Sequence, residues 1–482
     1  MKHIFTTCIA ALLSSACSLT PDYQRPDVNA LIGDEFVESQ SSELPTETSK
    51  IRWWQGFDDP IIDELVNTAL NHNIDIKIAA ANVMESQAIA KSAVGDRWPE
   101  IGTLQSAERN FTGNNTGSSF NAGPDRVYTT SITSGLGVVW QADLFGKLRS
   151  EAKAAYADWQ VTEMDRIAIT HTVIADVIRQ RVQLAIALQK LVVAKDILAS
   201  REYTYKIVNG RYSRGVATTS AVDLRLAREN LYSAEADILA LEQDASLAQH
   251  ALDVLLGLKP SSEYYSTLEL NQLPDLNDAI TDVPAQLLDR RPDLRAAEFR
   301  VIASNERLGV AIADLFPSLT LSADIGYRGS EVSELYNPAT LFGRMLGELT
   351  APIFNGGKLR SDRDAARARL ESQAHQYANE ILIAMQEVED SLVQNHKLKL
   401  RLAKLNEQVI EARMAEQLSR NRYAVGLENL LTVLETERRR RNSEDLLLSV
   451  EQNYWNSRVD LYLSLGGDWL EDSYYDQVAA SE

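Results

Sequence analysis

The sequence predicts an α+β membrane protein made by internal duplication, and three observations predict it. Four stretches contain neither Gly nor Pro: Lys147–Asn209 with 63 residues, Val216–Leu256 with 41, Lys358–Val425 with 68 and Leu427–Leu465 with 39. Twelve of the 23 glycines fall instead in two windows, Gly102–Gly137 and Gly326–Gly357, where apolar and polar residues alternate. The two halves also match when slid by 211 to 218 positions. Gly146-Lys147-Leu148-Arg149-Ser150 returns as Gly357-Lys358-Leu359-Arg360-Ser361, Arg211-Tyr212-x-x-Gly215 as Arg422-Tyr423-x-x-Gly426, and Asp75 with Pro99 as Asp293 with Pro317. Each half therefore reads helix, two strands, very long helix, sharp turn, long helix.

Composition narrows the class of partner. Lys and Arg number 48 against 68 Asp and Glu, a net charge of −20, so a nucleic-acid phosphate backbone is not what this surface binds. An apolar fraction of 45% excludes disorder and supplies a large core. Both cysteines lie in the first seventeen residues. There Lys2 precedes an apolar stretch, Ile4–Leu13, too short to span a ~30 Å hydrocarbon core and ordered like a secretory signal. Ser14, Ser15 and Ala16 lead into Cys17, which resembles the lipobox of bacterial lipoproteins, with Ser14 where leucine is usual. The signal, residues 1–16, is expected to be removed and Cys17 to carry a covalent lipid. Three acyl chains at ~0.8 kcal/mol per buried CH₂ anchor such a chain permanently. Ser18, rather than Asp, points to the outer membrane.

The elements follow in order. Breaker-free runs rich in Ala, Leu, Glu, Arg and Gln are helix, and 63 residues at 1.5 Å each make a rod of roughly 95 Å. Ile101–Phe111 alternates poorly. Its partner sets Tyr128, Ile132, Leu136, Val138 and Trp140 against Thr129, Ser131, Thr133 and Gln141. In the second window Leu319, Leu321, Ala323, Ile325 and Tyr327 oppose Ser318, Thr320, Ser322, Asp324 and Arg328. A last strand sets Leu341, Met345, Leu349 and Ile353 against Thr340, Arg344, Glu348 and Thr350. Period 2 over such lengths gives strands with one oily and one wet face. No later segment has 18 uncharged apolar residues, so any membrane crossing is made by strands.

Four strands cannot close a barrel, and an open edge in hydrocarbon leaves unpaired backbone groups at several kcal/mol each; the smallest outer-membrane barrels have about eight strands. Several copies must share one barrel. The helical stripe Ile167, Ile174, Val177, Leu184, Leu188, Leu191 and Ile197 likewise needs neighbouring hairpins for its other wall.

The residues in combination resemble the TolC/OprM outer membrane factors over essentially the whole mature chain. The motifs are the lipobox with Ser18-Leu19-Thr20-Pro21-Asp22-Tyr23-Gln24-Arg25-Pro26, then Trp53-Trp54-x-x-Phe57-x-Asp59-Pro60, Arg290-Arg291-Pro292-Asp293-Leu294, Phe316-Pro317 and Arg422-Tyr423-x-x-Gly426. The resemblance implies a homotrimer, with a 12-stranded barrel in the outer membrane continued by a periplasmic helical barrel. It also implies the exit duct of a tripartite pump, joined to a periplasmic adaptor and an inner-membrane transporter of the proton-driven RND type. The expected organisation is a lipidated segment over 17–60, a first repeat over 61–282 and a second over 283–468. The first holds a hairpin at 101–142 and helices at 145–209 and 219–257; the second, a hairpin at 317–354 and helices at 358–425 and 429–466. Residues 469–482 form a tail.

The turns Asn209–Thr219 and Tyr423–Asn429, containing Gly215 and Gly426, should form the periplasmic mouth. By resemblance it is closed at rest and lined by Asn429, Leu431 and Glu435. Three copies of Leu431 make an apolar collar that dewets, and three of Glu435 a ring attracting cations. Arg211, Arg214, Arg420 and Arg422 lie within sequence reach of Asp223, Glu428 and Glu435 and are candidates for bridges across neighbouring chains that hold the mouth shut until the adaptor competes for them, or for complementing helix C-termini. The Arg438–Arg441 run is expected to be a solvated face with interchain pairing. The histidines His3, His72, His171, His250, His375 and His396 stand singly, without H-E-x-x-H, and no G-x-S-x-G elbow occurs, so no cofactor, metal site or catalytic site is expected. The same duct could serve type I protein secretion or metal-ion efflux. A periplasmic scaffold lipoprotein without a pore leaves the glycine-rich windows unexplained.

Overall fold

In a computed structural model of the chain, the structure describes residues 19–26, 52–114, 125–216, 219–260, 270 and 287–467. Cys17, the signal and the tail 469–482 lie outside the described residues. The helices are α1 (Pro60–His72), α2 (Ile74–Gly95), α3 (Lys147–Ser213), α4 (Ala221–Leu255), α5 (Pro292–Ala313), α6 (Lys358–Ala424) and α7 (Leu430–Ser464); the strands are β1 (Glu100–Asn114), β2 (Asp125–Ala142), β3 (Ser318–Gly329) and β4 (Leu341–Thr350). No helix among the described residues is long and apolar enough to cross a membrane.

The duplication is exact in the long helices: α3 and α6 have 67 residues each, and α4 and α7 have 35 each. α3 does not stop at Asn209. Gly210 is held inside the helix, and the left-handed residue that ends it is Gly215, at φ 69°, as Gly426 at φ 83° ends the second tip. The first turn is longer than the second by two residues, which shifts the match between halves after the tips.

The chain divides into two compact units. The first takes in Met1–Pro26, Asn82–Thr162 and Ala296–Tyr377 and holds the sheet, antiparallel in the order β1-β2-β3-β4. Its register pairs Ile101 with Val138, Val138 with Ala323 and Ala323 with Met345, so the oily residues of all four strands share one face. That face is open on the single chain: Ile101, Leu136, Ile325, Met345 and Leu349 are all exposed. The opposite face carries the ion pair of Arg344 and Asp324, at 2.6 Å. β4 alternates less cleanly than its sequence suggests. Phe342 and Leu346 share a face with Arg344 and Glu348, Thr340 belongs to a short 3-10 turn, and Ile353 follows the strand. β1 and β4 have no partner on their outer edges among the described residues. The repeats meet at β2 and β3, where Gly135 faces Gly326 so closely that a Cβ on Gly135 would stand 2.3 Å from the Ile325 carbonyl oxygen. In this unit Leu19–Pro26 lies along α5: Thr20 Oγ1 is 2.6 Å from Ser150 Oγ, Asn305 donates to the Pro21 carbonyl at 2.8 Å, and Arg25 pairs with Glu298 at 2.6 Å.

The second unit takes in Asp27–Ala81, Glu163–Arg295 and Ala378–Glu482. Here the stripe of α3 is covered within the single chain, with part of its wall supplied by α7 of the neighbouring hairpin. Ile174, Val177, Ile178 and Leu184 pack with Ile62, Leu65 and Val66 of α1, Leu252 of α4 and Trp455 and Val459 of α7. The Trp-Trp motif folds as a 3-10 turn, Trp53–Phe57, whose rings are buried and pack on His171, Tyr462 and Trp455. Burial alone lowers the His171 pKa to about 4, so it is a neutral core group. Asp59 ends the motif by capping α1, and its other oxygen meets buried Arg181 of α3 at 2.6 Å.

Candidate functional site

Both tips use one sequence device. In Arg-Tyr-x-x-Gly the glycine adopts positive φ, and the amide after it bonds back to the arginine carbonyl: Val216 N to Arg211 O at 3.1 Å, and Leu427 N to Arg422 O at 2.9 Å. These satisfy helix-end carbonyls that would otherwise be unpaired. The return helices start on side-chain caps. Ser220 and Asp223 form a reciprocal capping box on α4, while Asn429 Oδ1 accepts the Thr432 amide at 2.9 Å on α7. Val208, Ala227, Tyr423, Leu430 and Val433 form a small core beneath the tips.

The structure sorts the charged candidates differently from sequence reach. Among the described residues Arg211 meets no carboxylate; its Nη2 donates to the carbonyls of Tyr423 and Ala424 at 2.8 and 3.0 Å, and its guanidinium lies 4.6 Å from the centre of the Tyr423 ring. Asp223 is spent on its cap. Arg422 approaches Glu428 at 3.6 Å. Arg420 pairs with Glu416 of its own helix and donates to Ser200, and Arg214 makes no ion pair among the described residues. Within one chain the four arginines are shared among helix-end carbonyls and near neighbours on the same helix.

Leu431 and Glu435 stand one turn apart on α7, on the side away from the buried Leu430, Val433 and Glu437. Leu431 is 63% exposed and Asn429 is also exposed. Glu435 is not a bare carboxylate. Arg438 and Arg439, three and four residues on, bond it at 2.9 and 2.7 Å and hold its carboxyl below the usual glutamate range. On this side of α7 each chain thus carries one acid beside two cations. The rest of the arginine run pairs within the chain: Arg440 reaches Asp196 at 2.9 Å and Glu416 at 2.8 Å, and Arg441 reaches Asp237 at 2.6 Å. Sequence reasoning missed the buried centre of this network. Ser200 donates to both Glu416 and Glu437, and burial together with the nearby Glu416 charge raises the Glu437 carboxyl above its ordinary range. The signals available were the i, i+4 pairs Glu416/Arg420 and Arg440/Glu444.

A sheet with one oily face whose edges are unpaired among the described residues, carried with two 67-residue helices that turn back on themselves, defines the subunit of a membrane channel. The chain belongs to the outer membrane efflux protein family, whose sequence profile matches residues 65–258 and 283–467. It is 30% identical over 476 residues to the toluene efflux pump outer membrane protein TtgF of Pseudomonas putida, covering 97% of this chain and 98% of that one. It is 27% identical over 466 residues to the cation efflux system protein CusC of Escherichia coli, covering 96% and 98%. The solved structure of the outer-membrane channel OprN superposes with a TM-score of 0.83 at 28% identity, over 94% of this chain and all of that one. The chain is accordingly an outer membrane channel of an efflux pump. Its fold is that of a trimeric 12-stranded barrel, four strands from each chain, continued by a periplasmic helical barrel.

Proposed function

We propose that this channel is the lipid-anchored exit duct of a tripartite pump for drugs or other small organic molecules. It is held in the outer membrane through Cys17 and engaged at its helix turns by a periplasmic adaptor and an inner-membrane RND-type transporter. Asn429, Leu431 and Glu435 form its resting constriction. The observation that carries the gate is exposed Leu431, with half-buried Glu435 one turn on, on a helix whose opposite side is packed: an apolar side chain left uncovered by its own chain is available to close a pore against its symmetry copies. Similarity to TtgF supports organic cargo; similarity to CusC at lower identity keeps metal ions as the second reading.

The test is single-channel recording in planar bilayers. Replacing Leu431 and Glu435 with Ala should raise the conductance of the resting channel, and an unchanged conductance would sink the gate. Deletion of the chain should sensitise cells to dyes and antibiotics; sensitivity to metal salts alone would transfer the cargo to the second reading. Labelling with radioactive palmitate, lost in Cys17→Ala, tests the anchor.

A further inference from the structure

β1 is the strand whose alternation is poorest, and the register explains why. Thr103, Gln105 and Arg109 share the oily face with Ile101 and Phe111, while Leu104 lies on the other. Gln105 is satisfied by its cross-strand partner, donating to Ser134 Oγ at 2.9 Å. Arg109 is not satisfied in this way. It is a charged side chain on the lipid-suited face, it is exposed, and it makes no ion pair among the described residues. Its guanidinium carbon lies 4.8 Å from the centre of the Tyr128 ring, and Tyr128 in turn packs with Phe111 at 6.5 Å.

The height of Arg109 decides what it meets. It stands nine residues past Glu100, where β1 leaves the helices. At about 3.3 Å per residue and a ~40° tilt, that is about 23 Å along the membrane normal, against an apolar band of ~25 Å in outer-membrane barrels. The register agrees: Ala107 and Ile132 are level with Gly329, the last residue of β3, and Arg109 pairs with Thr130 one step beyond. Arg109 therefore sits at the extracellular rim of the band, where lipid headgroups begin, beside the Thr130 hydroxyl and the Tyr128 phenol. A planar fork of N–H donors with no ion-pair partner among the described residues matches phosphate oxygens.

The geometry points to a headgroup site: Arg109, with Thr130 and Tyr128 beside it, binds the phosphate of an anionic lipid in the outer leaflet. Because the face is apolar below and aromatic around the guanidinium, the ligand is a phosphate that arrives on acyl chains and not one free in solution.

The trimer is reconstituted in phosphatidylcholine nanodiscs containing diphosphoryl lipid A, and retained lipid A is counted by native mass spectrometry. Arg109→Gln should lower retention about tenfold, the loss of one charge-assisted hydrogen bond. Arg109→Lys should lower it less, and Arg328→Gln, a cation on the opposite face of the sheet, should leave it unchanged. Equal retention by Arg109→Gln, an equal drop in Arg328→Gln, or full displacement of lipid A by inorganic phosphate overturns the site. If Arg109→Gln does not assemble, Arg109→Lys with Tyr128→Leu takes its place, and retention equal to the unsubstituted trimer overturns the site in the same way. Channel conductance should be unaltered in every variant that assembles, which separates failure of this site from failure of the duct reading.

Discussion

Arg211, at the end of the first long helix, donates to the backbone carbonyl of Tyr423 at the end of the second, at 2.8 Å, and stacks over that residue's ring. A cation at a helix C-terminus complements its dipole, and here the cation comes from the other repeat. The contact ties the two tips of one chain together. A partly buried charged hydrogen bond of this kind is worth about 1 kcal/mol or more. Arg211→Ala should therefore loosen the α6 tip and raise the open probability of single channels, with Arg211→Lys intermediate because an ammonium reaches one carbonyl but lacks the fork. Open probability unchanged in Arg211→Ala would show that the tips are held elsewhere.

The charge of the mouth is a second expectation. Glu435 is outnumbered by Arg438 and Arg439, which it bonds on its own helix. In a salt gradient the reversal potential should therefore lean toward anions. Removing both cations, as Arg438→Gln with Arg439→Gln, should swing it toward cations, since an acid alone then remains on the stripe. A cation-selective channel indifferent to the double substitution would restore the bare carboxylate ring. The sign of the swing is the informative readout, because surface charges more than ~8–10 Å from the permeation path are screened at physiological salt.

How far the sequence reached can be judged from these same residues. The long helices, the turns at Gly215 and Gly426 and the oily faces of β2 and β3 were legible because each rests on a local rule: absence of breakers, one left-handed glycine, or period 2. The fate of the arginines was not. Arg211, Arg420 and Arg440 each had several acids and carbonyls within reach, and which one wins depends on how four helices pack. The cover over the α3 stripe was illegible for the same reason, since Ile62, Leu252 and Trp455 come to it from three distant parts of the chain. β1 read poorly because Gln105 and Arg109 break its alternation for reasons that only the register reveals.

Asp59 and Arg181 yield a third prediction. Both side chains are essentially excluded from solvent and meet at 2.6 Å. Breaking such a pair by removing one charge costs about 3–5 kcal/mol, whereas replacing both charges is far milder. Asp59→Asn keeps the oxygen that caps α1 and so isolates the ion pair. Asp59→Asn and Arg181→Met should each lower the temperature at which the trimer dissociates on a semi-native gel. The double variant should recover much of the loss. Additive losses in the double variant would mean that each residue acts alone, Asp59 as a cap and Arg181 as packing.

The seam between the repeats gives the last. Gly135 and Gly326 face one another across β2 and β3, and a Cβ on Gly326 would stand 2.4 Å from the Ser134 carbonyl oxygen and 2.6 Å from the Gly135 Cα. These neighbours are backbone and cannot swing aside, so one methyl must push the strands apart and break hydrogen bonds between them. Gly102, in contrast, has open space where its Cβ would be. Gly326→Ala and Gly135→Ala should therefore abolish or sharply reduce the heat-modifiable trimer in outer-membrane fractions, while Gly102→Ala assembles normally. Should Gly326→Ala assemble as well as Gly102→Ala, the two repeats do not join their sheet at this pair, and the order β1-β2-β3-β4 would have to be redrawn.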